Sequence, residues 1–423
     1  MNYFKTNQTK ISLEITNSMG KPFIQSFREV DTMIDRCNVM CEFSKEVLVE
    51  DVIKIDSKTM MKIKKEPVGI SFLIAPWNYP LLTVINGLSA SVLTGNPVLL
   101  KHSVKTPIIG DIFEEAFKSV GASNVLQHLF LDGPSINKVY KNTNVNFVGF
   151  TGSVETGKLV LNEIAQSNRF LNTGFELGGK DAAYIRDDAD LTYAAESVVD
   201  GGTYNSGQSC CALERVYVHE NIYDDFVGKL LKEINKITIG NPKGLLDHNK
   251  DELEQLYIDR EYPSMGPMAL PDSLVHLRNQ VESAAELGAE ILCGGNFTKD
   301  NKGLGRFFEP TLIVNCDNSM EIVREESFGP IIPVIKVSSD NEAIELINDN
   351  LYGLTASIYS KSYKEAGKMG EKLDVGTVFL NRCDAPNPAL PWTGRKNSGV
   401  GVTLSKYGFN SFYKLKGYNF NII

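Results

Sequence analysis

The chain has 423 residues, of which 42% are hydrophobic and 22% charged, so it is long enough for two or three globular domains and carries no signature of disorder or fibrous repeats. Its formal net charge of −9 argues against an affinity built on neutralising nucleic-acid phosphates. No apolar run approaches the ~18 residues of a membrane span, and the start, MNYFKTNQTK, lacks both an apolar core and early arginines, so no signal or transit peptide is expected.

In chain order, Val68–Ala75 reads as a buried strand, Leu81–Leu93 as a helix and Pro97–Lys101 as a strand. Thr106–Val120 follows as an amphipathic helix with Ile109, Ile112, Phe113 and Phe117 on one face. Leu126–Leu131 and Val145–Phe150 read as strands and Ser153–Ile164 as a helix. This alternation predicts βαβ units around a largely parallel sheet. The pattern restarts with a strand at Ala182–Ile185, a helix over Tyr193–Val199, a strand at Arg215–Val218 and a helix over Asn221–Ile234, which predicts a second α/β domain. The charged stretch Leu245–Tyr262 reads as a surface insertion with room for its own helix, and Phe412–Ile423 as a terminal strand suited to pairing with another subunit.

Seven cysteines, an odd number in a large chain, do not suggest a disulfide framework, so reduced thiols and a cytoplasmic location are expected. Five scattered histidines form no HExxH pair, and there is no CxxC set, so no metal site is expected.

Three stretches carry chemistry. Phe150–Gly157 joins a strand to a helix, and Gly152, Ser153 and Gly157 would let backbone and helix amides approach a phosphate; an ordinary turn satisfies the same pattern. Asn205–Cys211 sets Cys210 and Cys211 behind a glycine turn, where a thiolate can serve as a nucleophile. Glu176 stands alone among the apolar and glycine residues of Phe175–Gly179, surroundings that raise a carboxyl pKa and suit a general base. In Pro76–Pro80, Asn78 ends a strand with an amide able to stabilise an oxyanion.

The ordered segments EPVG (66–69), PWNYP (76–80), FTGS (150–153), ELGGK (176–180), GQSC (207–210), EESFGP (325–330) and PWTGRKNSG (391–399) resemble the NAD(P)-dependent aldehyde dehydrogenase superfamily from about Gly20 onward. The resemblance implies an α/β fold with a Rossmann-like cofactor domain (1–48 and 68–178), a second α/β catalytic domain (179–411) and a small β oligomerisation extension (49–67 and 412–423). It makes Cys210 the nucleophile, Glu176 the general base and Asn78 the oxyanion donor, with Cys211 a bystander. NAD or NADP would be held by Trp77, Lys101, Gly152, Ser153, Gly157, Leu177, Gly178, Glu326 and Phe328. Tyr79, Asn86, Ser209, Asp384 and Trp392 would line the tunnel for a small-molecule aldehyde. A homodimer or homotetramer is implied, because Val49–Pro67 resembles the strand extension that pairs with a neighbouring subunit.

The sequence also departs from the family's pattern. Helices and a strand pair that normally precede Met19–Pro22 are expected to be missing. Val104 stands where many NAD-preferring members carry a glutamate, which leaves NAD and NADP both open, and His102 beside Lys101 is either structural or a phosphate contact. Lys414 occupies the position assigned to a proton-relaying glutamate, so no such relay is expected. A relative that passes its thioester to coenzyme A, and a catalytically silent binding protein, are the alternatives. Glu176 speaks against the first, and the joint presence of Asn78, Glu176, Cys210 and Glu326 against the second.

Overall fold

The computed structural model describes residues 1–242, 250–258, 262–300 and 302–423. Two large sheets carry the site. The first has the spatial order Gly399–Val400, Asn172–Glu176, Val145–Thr151, Ile70–Ile74, Val98–Lys101 and Leu126–His128. Its strands are parallel apart from Gly399–Val400, which runs antiparallel to Asn172–Glu176. The second runs Glu290–Cys293, Thr311–Val314, Ile331–Val337, Leu213–His219, Asp181–Ile185, Thr355–Tyr359 and Thr377–Leu380. Only its first strand is antiparallel. The strand Asp181–Ile185 is buried at every position and, past Asp181, reads as a continuous apolar run, as expected of a parallel strand covered on both faces.

Helices cross over between the parallel strands. Pro107–Lys118 begins with proline at its first position, where no amide donor is lost. Val154–Gln166 and Leu191–Thr203 are N-capped by Ser153 and Asp190, whose side chains accept from the amides of Thr156 and of Thr192 and Tyr193. The expected helix over Asn221–Ile234 is a short 3₁₀ turn, Glu220–Ile222, followed by the helix Tyr223–Ile234. Within the charged stretch Leu245–Tyr262 a helix spans Lys250–Ile258, while positions 243–249 and 259–261 lie outside the described residues.

Two departures from expectation reshape the architecture. The segment 399–411, assigned by the sequence to the second α/β half, returns to the first: Gly399 and Val400 pair with Glu176 and Phe175, and Phe409, with Phe412 just beyond, joins the core packed on the first sheet. The terminal strand Tyr413–Asn421 pairs in unbroken register with Thr59–Pro67 of its own chain. With Asp51–Ile55 these strands form a three-stranded antiparallel sheet, whose outer strand shows Val52, Ile53 and Ile55 to solvent.

A 25-residue helix, Phe23–Val47, was not apparent in the sequence. It packs on Leu82–Leu93 and buries Gln25, Glu29 and Arg36, three polar side chains directed at the interior. Glu29 pairs with the buried Lys21 at 2.6 Å and accepts from the amides of Leu81 and Leu82, tying the helix to the start of Leu82–Leu93. Removing either partner would strand a buried charge, a loss of about 3–5 kcal/mol.

Candidate active site

The loop carrying Cys210 is set by backbone geometry. Asn205, Ser206 and Gly207 have φ of 53°, 58° and 71°, so two non-glycine residues lie in the left-handed region and need outside support. Asn205 N donates to Gln25 Oε1 (3.0 Å), and its Nδ2 donates to the carbonyls of Asn78 (3.2 Å) and Gln208 (3.1 Å). Ser206 Oγ donates to Gly266 O at 2.8 Å. A Cβ on Gly207 would come within 2.3 Å of Gly329 O, so only glycine fits there. Thus strapped, the loop brings the half-buried Cys210 to a cleft of about 420 Å3.

Glu176, Tyr79, Asn86, Ser209, Asp384 and Trp392 line the same cleft. Glu176 ends the strand Asn172–Glu176. Thr403 Oγ1 hydrogen-bonds its Oε1, and Asn86 Nδ2 donates to its Oε2 at 3.3 Å. Burial pushes the Glu176 carboxyl above its usual range, opposed by these bonds and by the Arg36 charge. Asn86, expected to face the substrate, is instead occupied between Arg36 and Glu176. Asn78 is buried, and one N–H of its amide reaches Gln208 O at 3.3 Å.

Cys211 is buried and donates to Asp384 Oδ1 at 2.7 Å. A hydrogen bond with Cys210 and burial push its thiol well above the normal value, which makes it a poor nucleophile. Ser209 Oγ also donates to Asp384 Oδ1, at 3.2 Å, so this carboxylate braces the loop from below. Arg382 is exposed at the cleft wall.

The expected cofactor residues gather around the carboxyl ends of the first sheet. Ser153 caps Val154–Gln166, and Cβ atoms on Gly152 and Gly157 would strike Phe150 and Leu177 at 2.6 and 2.7 Å. A Cβ on Gly178 would fall 2.4 Å from Glu326 Oε1, which accepts from Gly179 N at 3.1 Å. Phe328 packs edge-on to Trp77 with ring centroids 5.8 Å apart. Lys101 ends the strand Val98–Lys101, half-buried. Helix amides, close-approach glycines and an aromatic pair fit a dinucleotide. His102 does not join them. Its ring nitrogens are engaged by Pro80 O (3.0 Å) and Thr106 Oγ1 (3.1 Å), and burial drives its pKa down to about 4, so it is structural.

Residues 1–417 match the aldehyde dehydrogenase family. The chain belongs to that family. The match starts at the first residue, earlier than the motifs alone reach. The chain is 30% identical over 407 residues to retinaldehyde dehydrogenase 3 of Homo sapiens, spanning 95% of this chain and 75% of that protein. It is 33% identical over 363 residues to betaine aldehyde dehydrogenase of Bacillus subtilis (strain 168), spanning 84% and 69%. The structure of succinic semialdehyde dehydrogenase from Streptococcus pyogenes in complex with NADP+ superposes with a TM-score of 0.89 at 29% identity, covering 98% of this chain and 87% of that one. As an aldehyde dehydrogenase, the protein is an oxidoreductase that oxidises an aldehyde with NAD or NADP.

Several residues of this aldehyde dehydrogenase site were not apparent in the sequence. Thr403, which reaches Glu176, follows the last motif and carries no local signal. Lys414, by contrast, is exposed on the terminal strand opposite Glu66. Glu214 had a legible signal, an acid beside Arg215 at the start of the buried strand Leu213–His219. Its carboxylate accepts from Ser327 N (2.6 Å), Phe328 N (2.8 Å) and Lys180 Nζ (2.7 Å), fixing the loop that carries Glu326. Among the described residues no cluster suited to a metal ion occurs, and no helix is long and apolar enough to cross a membrane.

Proposed function

We propose that this aldehyde dehydrogenase is hydrolytic, with Cys210 as nucleophile, Glu176 as general base and Asn78 as oxyanion donor. The observation that carries the reading is the meeting of Cys210 and Glu176 in one cleft, with Glu176 held by Thr403 and Asn86. The Cys210 thiolate attacks the carbonyl carbon of the aldehyde, and the oxygen gains the charge. The second N–H of Asn78 and the amide of Cys210 are the donors for that oxyanion. When bound, the nicotinamide supplies the hydride acceptor. Loss of hydride leaves a thioester on Cys210. Glu176 then takes a proton from water, whose oxygen attacks the thioester carbon; carboxylic acid leaves and the thiol is restored. A carboxyl raised by burial is better matched to that proton transfer near neutral pH than an ordinary one.

Lys101 and Ser153 would hold the adenosine ribose and pyrophosphate, while Trp77, Leu177, Gly178, Glu326 and Phe328 would position the nicotinamide half. Tyr79, Ser209, Asp384 and Trp392 are the substrate-facing candidates. A homodimer or homotetramer is supported by the exposed apolar edge at Val52, Ile53 and Ile55, and a single monomer mass in light scattering would contradict it. A cytoplasmic setting fits seven unpaired thiols.

The test is turnover of an aldehyde panel with NAD and with NADP, followed by the absorbance of reduced cofactor. Cys210→Ser should abolish it. Glu176→Gln should give one burst of reduced cofactor and then stall. Sustained wild-type turnover in either variant rejects the assigned role, and a requirement for coenzyme A in the wild type rejects the hydrolytic reading.

A further inference from the structure

Arg36 is 5% exposed, yet it lines the cleft that holds Cys210 and Glu176. A guanidinium so buried normally sits against a carboxylate. Arg36 Nη1 instead donates to Oδ1 of Asn86 at 2.8 Å, and its Nε has no hydrogen-bond partner. Asn86 Nδ2 in turn donates to Glu176 Oε2. A side-chain amide has one accepting and one donating end, and an arginine can only donate. The cation at Oδ1 therefore decides which end faces the carboxylate. A flipped Asn86 would set its NH2 against the guanidinium and its oxygen against Glu176, two repulsive contacts.

We propose that Arg36 is a positioning residue for thioester hydrolysis, aiming the Asn86 donor at Glu176 and supplying a fixed positive charge that keeps this carboxylate ionised and able to take the water proton. The proposal rests on Glu176 being the general base. Its surroundings leave Arg36 as the nearby cation acting on that carboxylate. Glu176 also meets Thr403 and Thr151, both neutral. The Arg36 charge further acts on Cys211, Glu29 and Asp384. Glu29 is held by Lys21 and two backbone amides, and Asp384 by Ser209 and Cys211. Arg28, Tyr79, Asp200, Tyr204, Arg382 and Cys383 also line the cleft, and Cys210 is consumed as the thioester at the step in question. Because burial raises the Glu176 pKa and Arg36 lowers it, hydrolysis rises with pH through a midpoint that loss of Arg36 moves upward.

The full-length protein would be mixed with p-nitrophenyl acetate in a stopped-flow instrument. This activated ester acylates a thiol directly, so nitrophenolate release reads acylation in the burst and deacylation in the steady phase without cofactor. In Arg36→Met the burst should persist, while steady release at neutral pH falls about tenfold and its pH midpoint rises by about one unit. Arg36→Lys should recover part of the shift. A wild-type midpoint in folded Arg36→Met overturns the proposal. Should that variant not fold, Asn86→Ala reads the same bridge: an upward shift supports the proposal and an unmoved midpoint overturns it. Glu176→Gln separates the two claims. If it deacylates normally, the general-base reading fails; if it stalls while Arg36→Met is unshifted, only the role of Arg36 fails.

Discussion

Lys180 Nζ and Glu214 Oε2 lie 2.7 Å apart with side chains 0% and 2% exposed, and the same carboxylate accepts the backbone amides of Ser327 and Phe328. This buried ion pair fixes the loop carrying Glu326 and Phe328 at a strand of the second sheet. Breaking it from one side leaves an unpaired internal charge. Lys180→Met should therefore cost about 3–5 kcal/mol in urea unfolding, and the double variant Lys180→Met with Glu214→Leu should cost less than the sum of the singles. Additive losses would show that the two groups are not energetically coupled.

Asn78→Ala removes the proposed oxyanion donor while leaving Cys210 and Glu176 in place. The expected outcome is a kcat lower by about 10²–10³ with little change in thermal stability. A loss confined to KM would assign Asn78 to substrate binding instead.

Gly178 faces Glu326, whose Oε1 would lie 2.4 Å from an added Cβ. Gly178→Ala must displace that carboxylate, the far end of a flexible side chain, and with it the bond from Gly179 N. If Glu326 positions the nicotinamide half, cofactor Kd measured by quenching of tryptophan fluorescence should rise by about tenfold or more. An unchanged Kd would remove this pair from cofactor recognition.

Asp181 is buried, and its carboxyl is pushed up to about 8, chiefly by desolvation and against hydrogen bonds from Thr355 N (3.0 Å) and Thr355 Oγ1 (2.6 Å). Its folded pKa lies above the unfolded value of about 3.9. The contribution to stability is thus fully present below about pH 4 and lost as pH rises towards 8 and beyond. Asp181→Asn mimics the protonated acid and does not titrate. The variant's Tm advantage over wild type should grow between about pH 5 and about pH 9, and a constant difference would contradict the raised pKa.

The alternation of apolar runs with amphipathic segments already determined parallel α/β sheets, because buried strands and crossover helices impose different periods on the sequence. Residue chemistry in short contiguous segments determined the candidates Asn78, Glu176 and Cys210, since a nucleophile turn or a glycine cradle is built within a few positions of the chain. Contacts between distant segments were decided only by the tertiary structure. Arg36, Asn86 and Thr403 converge on Glu176 from two helices and a C-terminal loop, and none has a local pattern announcing it. Gly399 returns to the first sheet and Tyr413–Asn421 pairs with Thr59–Pro67, because an edge strand takes whatever partner the packed domains bring beside it. The sequence thus specified the candidate reacting groups, while packing fixed the hydrogen bonds and the field around Glu176.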